Sequence, residues 1–248
     1  MAEPVRILAV VLHYGDPALA AQVQEQLAGA DSGLSGRVRV YDNAAPVSYP
    51  GAWRRATDNL YWAGALEDCV SLAREEGFTH LWFLNNDIEF VSRPPFMARA
   101  AAHLWRLGER LGHDVGVWAP AVLRSPYHPQ MVHREGVAFS RVAVADGIAP
   151  VYALDCIEAI GGVDAGDNPY GYGVDVWLSL RAHHAGWPVI VDHGVVVRHR
   201  HHTTARTLDG FLDTAGRAED AYMTQRLGPA WRDAVRTMQQ NIIHERIQ

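Results

Sequence analysis

The sequence predicts an α/β fold: a mostly parallel central sheet flanked by helices, with a C-terminal helical appendage. Three observations predict it. Short apolar runs alternate with segments of helical spacing over the first 120 residues, and such alternation builds right-handed βαβ units. The runs are continuous, as in strands covered on both faces. The first three of them end in polar residues, at the place where open parallel sheets bind ligands.

Taken in order, Val5–Leu12 is the first strand, and Pro17–Leu27 a helix ended by Gly29. Val38–Tyr41 is a second, shorter strand. Asn59–Glu76 has apolar residues at helical spacing and stops at Gly77. Leu81–Leu84 is the third strand, Pro94–Leu111 a helix with Pro in its first turn, and Val115–Ala119 the fourth strand. The region 128–149 mixes turns with short β-like pieces. Asp155–Ile160 gives a short helix before Gly161 and Gly162, and Asp164–Gly173 is a loop rich in Gly, Asp and Tyr. Val174–Ala185 is helical and stops at Gly186. Pro188–Val191 and Val195–Arg198 are strands. Thr207–Leu227 and Pro229–Ile247 are amphipathic helices. With no repeat, linker or low-complexity tract, the expected organisation is one composite domain over 1–206, its halves meeting near residue 120, with helices over 207–248 packed on it.

Composition narrows the function. A chain of 248 residues, 48% hydrophobic and 20% charged, can bury a large core. Its net charge of −6 disfavours a nucleic-acid binder, which needs a basic surface to displace counterions. Small anionic ligands stay open, since a few Arg residues or a metal can hold them. Every basic residue counted is Arg, which excludes a lysine Schiff base or a P-loop lysine. Cys69 and Cys156 are too few for a disulfide framework. No apolar run is long enough to span a bilayer, and the first is too short for a signal peptide, so a soluble, cytoplasmic protein is expected.

Three segments carry chemistry. The first three strands lead to His13 and Tyr14, to Asp42 and Asn43, and to Asn85, Asn86, Asp87 and Glu89. In LWFLNNDIEF the acidic residue among oxygen donors suits Mg²⁺ or Mn²⁺ bridging to phosphates. The same residues also make a good polar turn. In VIVDHGVVVRHRHHTT a strand ends in His199, Arg200, His201 and His202, and an imidazole there can complete a site begun by Asp87; a solvated loop is the plainer reading. In GYGVDVWLSL, Asp175 opens a helix, as a first-turn charge or as a general base.

In this order the segments resemble the inverting GT-A-fold glycosyltransferases of family two, which have a Rossmann-like sheet and use nucleotide-sugar donors. The resemblance covers about residues 5 to 204. It rests on VVLHYGDP, VRVYDNAA, NLYWAGAL, FLNNDIEF and the long GGVDAGDNPYGYGVDVWLSLRAHHAGWPVIVDHGVVVRHRHH. It implies that Asp42 contacts the nucleotide base or ribose, that His13 and Tyr14 line that pocket, and that Asn59 and Gly64 close over it. It sets Asn85 and Asp87 at the two ends of the family's Asp-X-Asp motif, with Asn86 between them in the nucleotide-binding set. Asp87 and His199 become the metal ligands and Asp175 the base that activates the acceptor. Three positions depart from the pattern. Asn85 makes one ribose or metal contact neutral, Val174 replaces an acidic residue before the base, and Trp177 stands where a second aspartate is common.

The implied reaction moves a sugar from a nucleoside diphosphate to an acceptor hydroxyl, in the manner of a hexosyltransferase, through direct displacement assisted by Mg²⁺ or Mn²⁺. The Asp164–Gly173 loop and Trp177 would shape the acceptor site. Two other readings stand beside it: a catalytically decayed sugar-nucleotide-binding protein, and a sugar-nucleotidyltransferase. The latter is disfavoured because HYGDPA lacks the expected Gly-rich basic loop. The expected partners are the donor and a small-molecule or glycan acceptor. The stripe Leu208, Phe211, Leu212, Ala215, Ala218 and Tyr222 leaves a homodimer through the C-terminal helices open, with packing on the parent domain preferred.

Overall fold

The computed structural model describes residues 4–200 and 208–246. The chain runs β1 (Ile7–His13), α1 (Pro17–Ala30), β2 (Val38–Asp42), β3 (Arg54–Arg55), α2 (Tyr61–Glu75), β4 (His80–Asn85), β5 (Ile88–Phe90), α3 (Met97–Leu111), β6 (Val117–Val122), β7 (Val137–Arg141), β8 (Val151–Ala153), α4 (Leu154–Ala159), α5 (Val174–His184), β9 (Val189–His199), α6 (Phe211–Leu227), α7 (Trp231–Gln240) and β10 (Ile243–Arg246). The strands form one sheet in the order β10-β7-β9-β6-β8-β4-β1-β2-β3, with β5 paired to β9.

The sheet is mixed. Parallel pairing joins β1 to β2 and β4, β2 to β3, and β6 to β9. Strand β8 enters antiparallel between β4 and β6, and β7 and β10 extend the far edge antiparallel. The ends of β1, β2, β4, β6 and β9 nevertheless point the same way. Leu8 to Val11 of β1 are fully buried, as a strand covered on both faces requires. Behind it Trp82 and Trp118 meet edge to face at 5.5 Å, and Trp82 Nε1–H donates to the Ala149 carbonyl at 2.9 Å. Each such large apolar side chain contributes roughly 1.5–3 kcal/mol.

Several boundaries differ from expectation, each for a local reason. Helix α1 continues past Gly29 to Ala30, because nothing near Gly29 demands a turn. Asp16 caps its start, accepting from the Ala18 N–H at 2.9 Å. Asp31, just beyond its end, caps a different helix: its carboxylate accepts from the N–H groups of Phe96, Met97 and Ala98 at 2.8–3.0 Å. That cap starts α3 at Met97, so Pro94 precedes the helix and does not open it. The fourth predicted strand is displaced to Val117–Val122. The two strands predicted after Gly186 are one strand, β9, whose register with β6 shifts between Pro120 and Ala121. The final predicted helix ends at Gln240, and the tail turns back as β10 to pair with β7. The predicted start at Thr207, and His201 and His202, lie outside the described residues.

Candidate active site

The strand ends, the loop after β7, the loop before α5 and the last two helices enclose a cavity of about 1080 Å³. Asn59, Asn85, Asp87, Asp146, Asp175 and His199 all line it.

The pairing of β5 with β9 brings Asp87 and His199 together. Ile88 lies opposite His199, and the Arg200 N–H donates to the Asp87 carbonyl at 3.0 Å. The Asp87 Oδ1 and His199 Nε2 atoms are then 3.0 Å apart, although 112 residues separate them in sequence. Each side chain is only 10% exposed. Burial pulls the imidazole pKa down, but the hydrogen bond and charge of Asp87, with Asp146 behind, outweigh it and hold His199 above its ordinary value. A small divalent ion takes ligands at about 2.1 Å in octahedral geometry, which sets neighbouring donors about 3 Å apart. The Asp87–His199 spacing fits that edge, and one oxygen with one imidazole nitrogen suits Mn²⁺ and tolerates Mg²⁺.

Asp175 stands in the first turn of α5, after Gly173 at φ +78°. Its Oδ2 accepts from the Gly147 N–H at 2.7 Å and its Oδ1 from the Val176 N–H at 2.9 Å. Burial and the neighbouring Asp146 push its pKa up to about 6, against the opposing pull of His128 and the two backbone N–H groups. A carboxylate tuned so close to neutrality is well matched to proton transfer. Glu219 of α6 is likewise pushed up to about 6, by burial and then by Asp175, with Arg232 and His128 opposing.

Close packing enforces this arrangement. A Cβ at Gly147 would lie 2.8 Å from Trp62 Cζ2 and 3.0 Å from Asp175 Cβ, and one at Gly171 would lie 2.7 Å from Trp62 Cβ. Trp62 Nε1–H donates to the Gly147 carbonyl at 3.2 Å. Tyr61 holds φ +53°, a cost for a bulky residue. Asn59 Oδ1 accepts from the Tyr61 N–H at 2.8 Å, and the Asn43 amide donates to the Tyr61 carbonyl at 3.0 Å and to Asn59. That clamp keeps the Tyr61 ring against Tyr170, centroids 4.7 Å apart, on the cavity wall.

Of the residues singled out in the sequence, Tyr14, Asn43, Asn59, Asn85, Asn86, Asp87, Asp175 and His199 line the cavity. His13, Asp42, Gly64 and Glu89 do not, Glu89 pairing instead with Arg198 at 2.7 Å. Asp42 is fully buried, and its carboxylate accepts from the N–H groups of Ala45 and Tyr49, both at 2.9 Å, and pairs with Arg55. It organises the 43–55 loop from within, away from the cavity wall. His13 lies under the same loop, its Nε2 2.8 Å from the Val47 carbonyl. Gly64 lies within α2, where a Cβ would meet Leu60 at 3.1 Å. Trp177 also stays out of the wall, its Nε1–H donating to Asp164 at 2.9 Å, while Tyr170 to Gly173 of the predicted acceptor loop do line it. Leu208, Phe211 and Leu212 line the cavity, Leu212 with 39% of its surface exposed, and Ala215 and Tyr222 are buried.

Sequence reasoning missed Asp146, His128 and Glu219. A ring nitrogen of His128 and one carboxylate oxygen each of Asp146 and Asp175 lie within 4.8 Å of one another. The only sequence signals were an aspartate before a glycine in AVADGIAP and a histidine between turn residues in SPYHPQ.

No family model matches the chain. It is 31% identical over 173 residues to uncharacterised proteins of Mycobacterium tuberculosis and Mycobacterium bovis, a match covering 68% of this chain. The chain spans about 65% of the length of these curated relatives. Among solved structures it is similar to a mycobacterial protein (TM-score 0.56, 13% identity, 88% of this chain and 74% of that one). It is similar to GalNAc-T7 with UDP, GalNAc and Mn²⁺ (TM-score 0.53, 12% identity, 79% and 44%). It is also similar to the mannosyltransferase PcManGT of Pyrobaculum calidifontis with GDP-Man and Mn²⁺ (TM-score 0.51, 14% identity, 92% and 73%). The fold is thus that of GT-A-type glycosyltransferases. No helix among the described residues is long and apolar enough to cross a membrane.

Proposed function

We propose that the chain is an inverting glycosyltransferase that moves a sugar from a nucleoside-diphosphate donor to an acceptor hydroxyl. The observation that carries this reading is that the Asp87–His199 pair and the Asp175 carboxylate line one cavity at the ends of the parallel strands. The ligands named with the similar glycosyltransferases, UDP with Mn²⁺ and GDP-Man with Mn²⁺, support the donor class.

In this reading residues up to about 120 hold the nucleotide, those from 121 to 206 the acceptor, and the helices beyond complete the wall. Tyr14, Asn59, Asn85 and Asn86 line the donor side. Asp87 and His199 would hold a divalent cation, which supplies Lewis-acid neutralisation of charge on a diphosphate. Asp175, at the end of α5 nearest the cavity, accepts the acceptor proton at a carboxylate oxygen as the new C–O bond forms. Attack opposite the departing diphosphate inverts the anomeric carbon, and the transition state is oxocarbenium-like. The two backbone N–H groups on Asp175 fix the direction of its lone pairs.

A thermal-shift screen of UDP-, GDP- and dTDP-sugars with and without Mn²⁺ tests the proposal. A ligand at about 100 times its Kd stabilises by about 2.7 kcal/mol, or roughly 5–11 °C for a chain of this size. The expected result is a shift with one nucleotide class that needs the metal and is lost in Asp87→Ala. No shift with any nucleotide sugar, metal present, would overturn it.

A further inference from the structure

The cavity wall is divided by chemistry. At the strand ends it presents amides and a carboxylate: Asn43, Asn59, Asn85, Asn86 and Asp87. Across from them the start of α2, the 170–173 loop and α6 present rings and aliphatic groups. Three tyrosines gather around Phe211, whose ring centroid lies 5.7 Å from Tyr170, 6.2 Å from Tyr61 and 6.5 Å from Tyr172. Leu208 and Leu212 continue this surface, and Leu212 and Tyr127 stay exposed on it. A bulky residue at φ +53° and large apolar side chains left in water both cost free energy, and such costs concentrate where a ligand binds. The polar groups of this side sit at the Asp175 end. His128 and Asp146 each bring an atom within 4.8 Å of Asp175, and a Cβ at Gly173 would lie 3.4 Å from Glu219 Cγ. From Glu219 to Phe211 the wall runs about 12 Å along α6. Between them Gly216 lines the cavity, and a Cβ there would meet nothing within 4 Å, so the helix leaves an open floor.

We infer that the acceptor hydroxyl is carried on a flat, uncharged apolar body, an aromatic aglycone. The inference rests on the reading of this cavity as a transferase site with Asp175 as its base. The hydroxyl enters the polar end, and the body lies over Gly216 toward Phe211. A free sugar carries hydroxyls on every edge, and burying them against rings and leucines without partners is costly. A flat ring system instead matches the faces and edges of Tyr and Phe, and being rigid it loses little freedom on binding. Charge points the same way. The two cations of α7 at the cavity are already matched, Arg232 by Asp220 at 2.6 Å and Arg236 by Asp233 at 2.9 Å, so an anionic acceptor meets no unpaired guanidinium there. In the transfer the acceptor O–H bond breaks and its proton passes to an Asp175 oxygen. The freed oxygen bonds to the anomeric carbon, and the bond from that carbon to the diphosphate breaks, its electron pair leaving with the phosphate oxygen.

The test uses the whole chain and four probes: naphthol, its carboxylated analogue hydroxynaphthoate, octanol and maltose. Naphthol, followed by its fluorescence, should bind about tenfold more tightly than each of the other three, measured by competition. Gly216→Leu fills the open floor from a helical position with room for a side chain, so it should keep the Tm and the nucleotide-sugar response of the unsubstituted chain. It should weaken naphthol by about tenfold or more. Leu212→Asp, at an exposed position, should do the same by setting a charge on the apolar wall. Maltose, octanol or hydroxynaphthoate binding as tightly as naphthol would overturn the inference, and so would naphthol binding unchanged in both variants. With whichever nucleotide sugar stabilises the protein, sugar transfer to naphthol should exceed transfer to maltose, and the reverse order would also overturn it. A nucleotide-sugar response without naphthol binding would defeat only the acceptor class. Naphthol binding that both variants weaken, beside no nucleotide-sugar response, would defeat the transferase reading and leave a site for aromatic ligands.

Discussion

Substituting Gly147 by Ala should disable the site without replacing an ionisable group. Gly147 is wedged between the Trp62 ring and the Asp175 side chain, and it bonds both: its N–H to Oδ2 at 2.7 Å, its carbonyl to the indole N–H at 3.2 Å. An added methyl would stand 2.8 Å from Trp62 Cζ2, 3.0 Å from Asp175 Cβ and 3.1 Å from Asp175 Oδ2. Neither neighbour can swing aside cheaply. Trp62 packs edge to face on Phe83 at 5.6 Å, and Asp175 is pinned by two backbone N–H groups. Overpacking of this kind costs about 1–3 kcal/mol. For a chain of this length 2 kcal/mol lowers Tm by roughly 4–8 °C. The methyl also pushes the carboxylate off its line, and a misplacement approaching 1 Å costs on the order of 10²-fold in rate. Differential scanning fluorimetry and donor turnover measure the two effects. Gly29→Ala is the control. Nothing lies within 4 Å of that position in α1, so it should gain about 0.5–1 kcal/mol and keep full activity. A Gly147→Ala protein with the Tm and turnover of the parent would refute the reasoning.

Three further outcomes are expected. Asp175→Asn should lower turnover by about 10²- to 10⁴-fold with nucleotide-sugar affinity within about twofold, by titration calorimetry. Asp175 protonates near pH 6 and acts as base only when ionised, so kcat/KM should fall with decreasing pH through that value, and a flat profile from pH 5 to 8 would contradict the assignment. The same upward shift has a stability consequence. A carboxyl whose folded pKa is raised stabilises at low pH and loses that contribution as pH rises through about 6, so Tm of Asp175→Asn relative to the parent should climb between pH 5 and pH 8. Asp31→Ala, which removes the acceptor for three N–H groups at the start of α3, should cost about 1–2 kcal/mol in chemical denaturation with turnover unchanged.

The apolar strands are readable because a strand buried on both faces has to be continuously apolar, as the runs Ile7–Leu12 and Leu81–Leu84 are. The meeting of residues 87 and 199 was also anticipated, from the order of motifs. What did not show is informative. A polar residue at a strand end can face the crevice or fold its own loop, and for Asp42 the choice is made by Arg55, thirteen residues on. Strand β8 has three residues, too short for any periodicity, yet it sits between β4 and β6 and makes the sheet mixed. Asp146 and His128 lie in irregular segments where no spacing rule links them to Asp175. The tail reads as helix because Ile242, Ile243 and Ile247 continue an apolar rhythm, and only the open edge of β7 converts it to a strand.

That edge strand has a practical meaning. Arg110 reaches Glu245 at 2.8 Å, and His244 Nδ1 lies 2.8 Å from Ser140 Oγ, so both ends of α7 are moored, one to α6 and the other to the sheet. Trimming residues 241–246 as dispensable would cast off a helix that closes one side of the cavity. A purification handle joined there would do best behind a generous spacer.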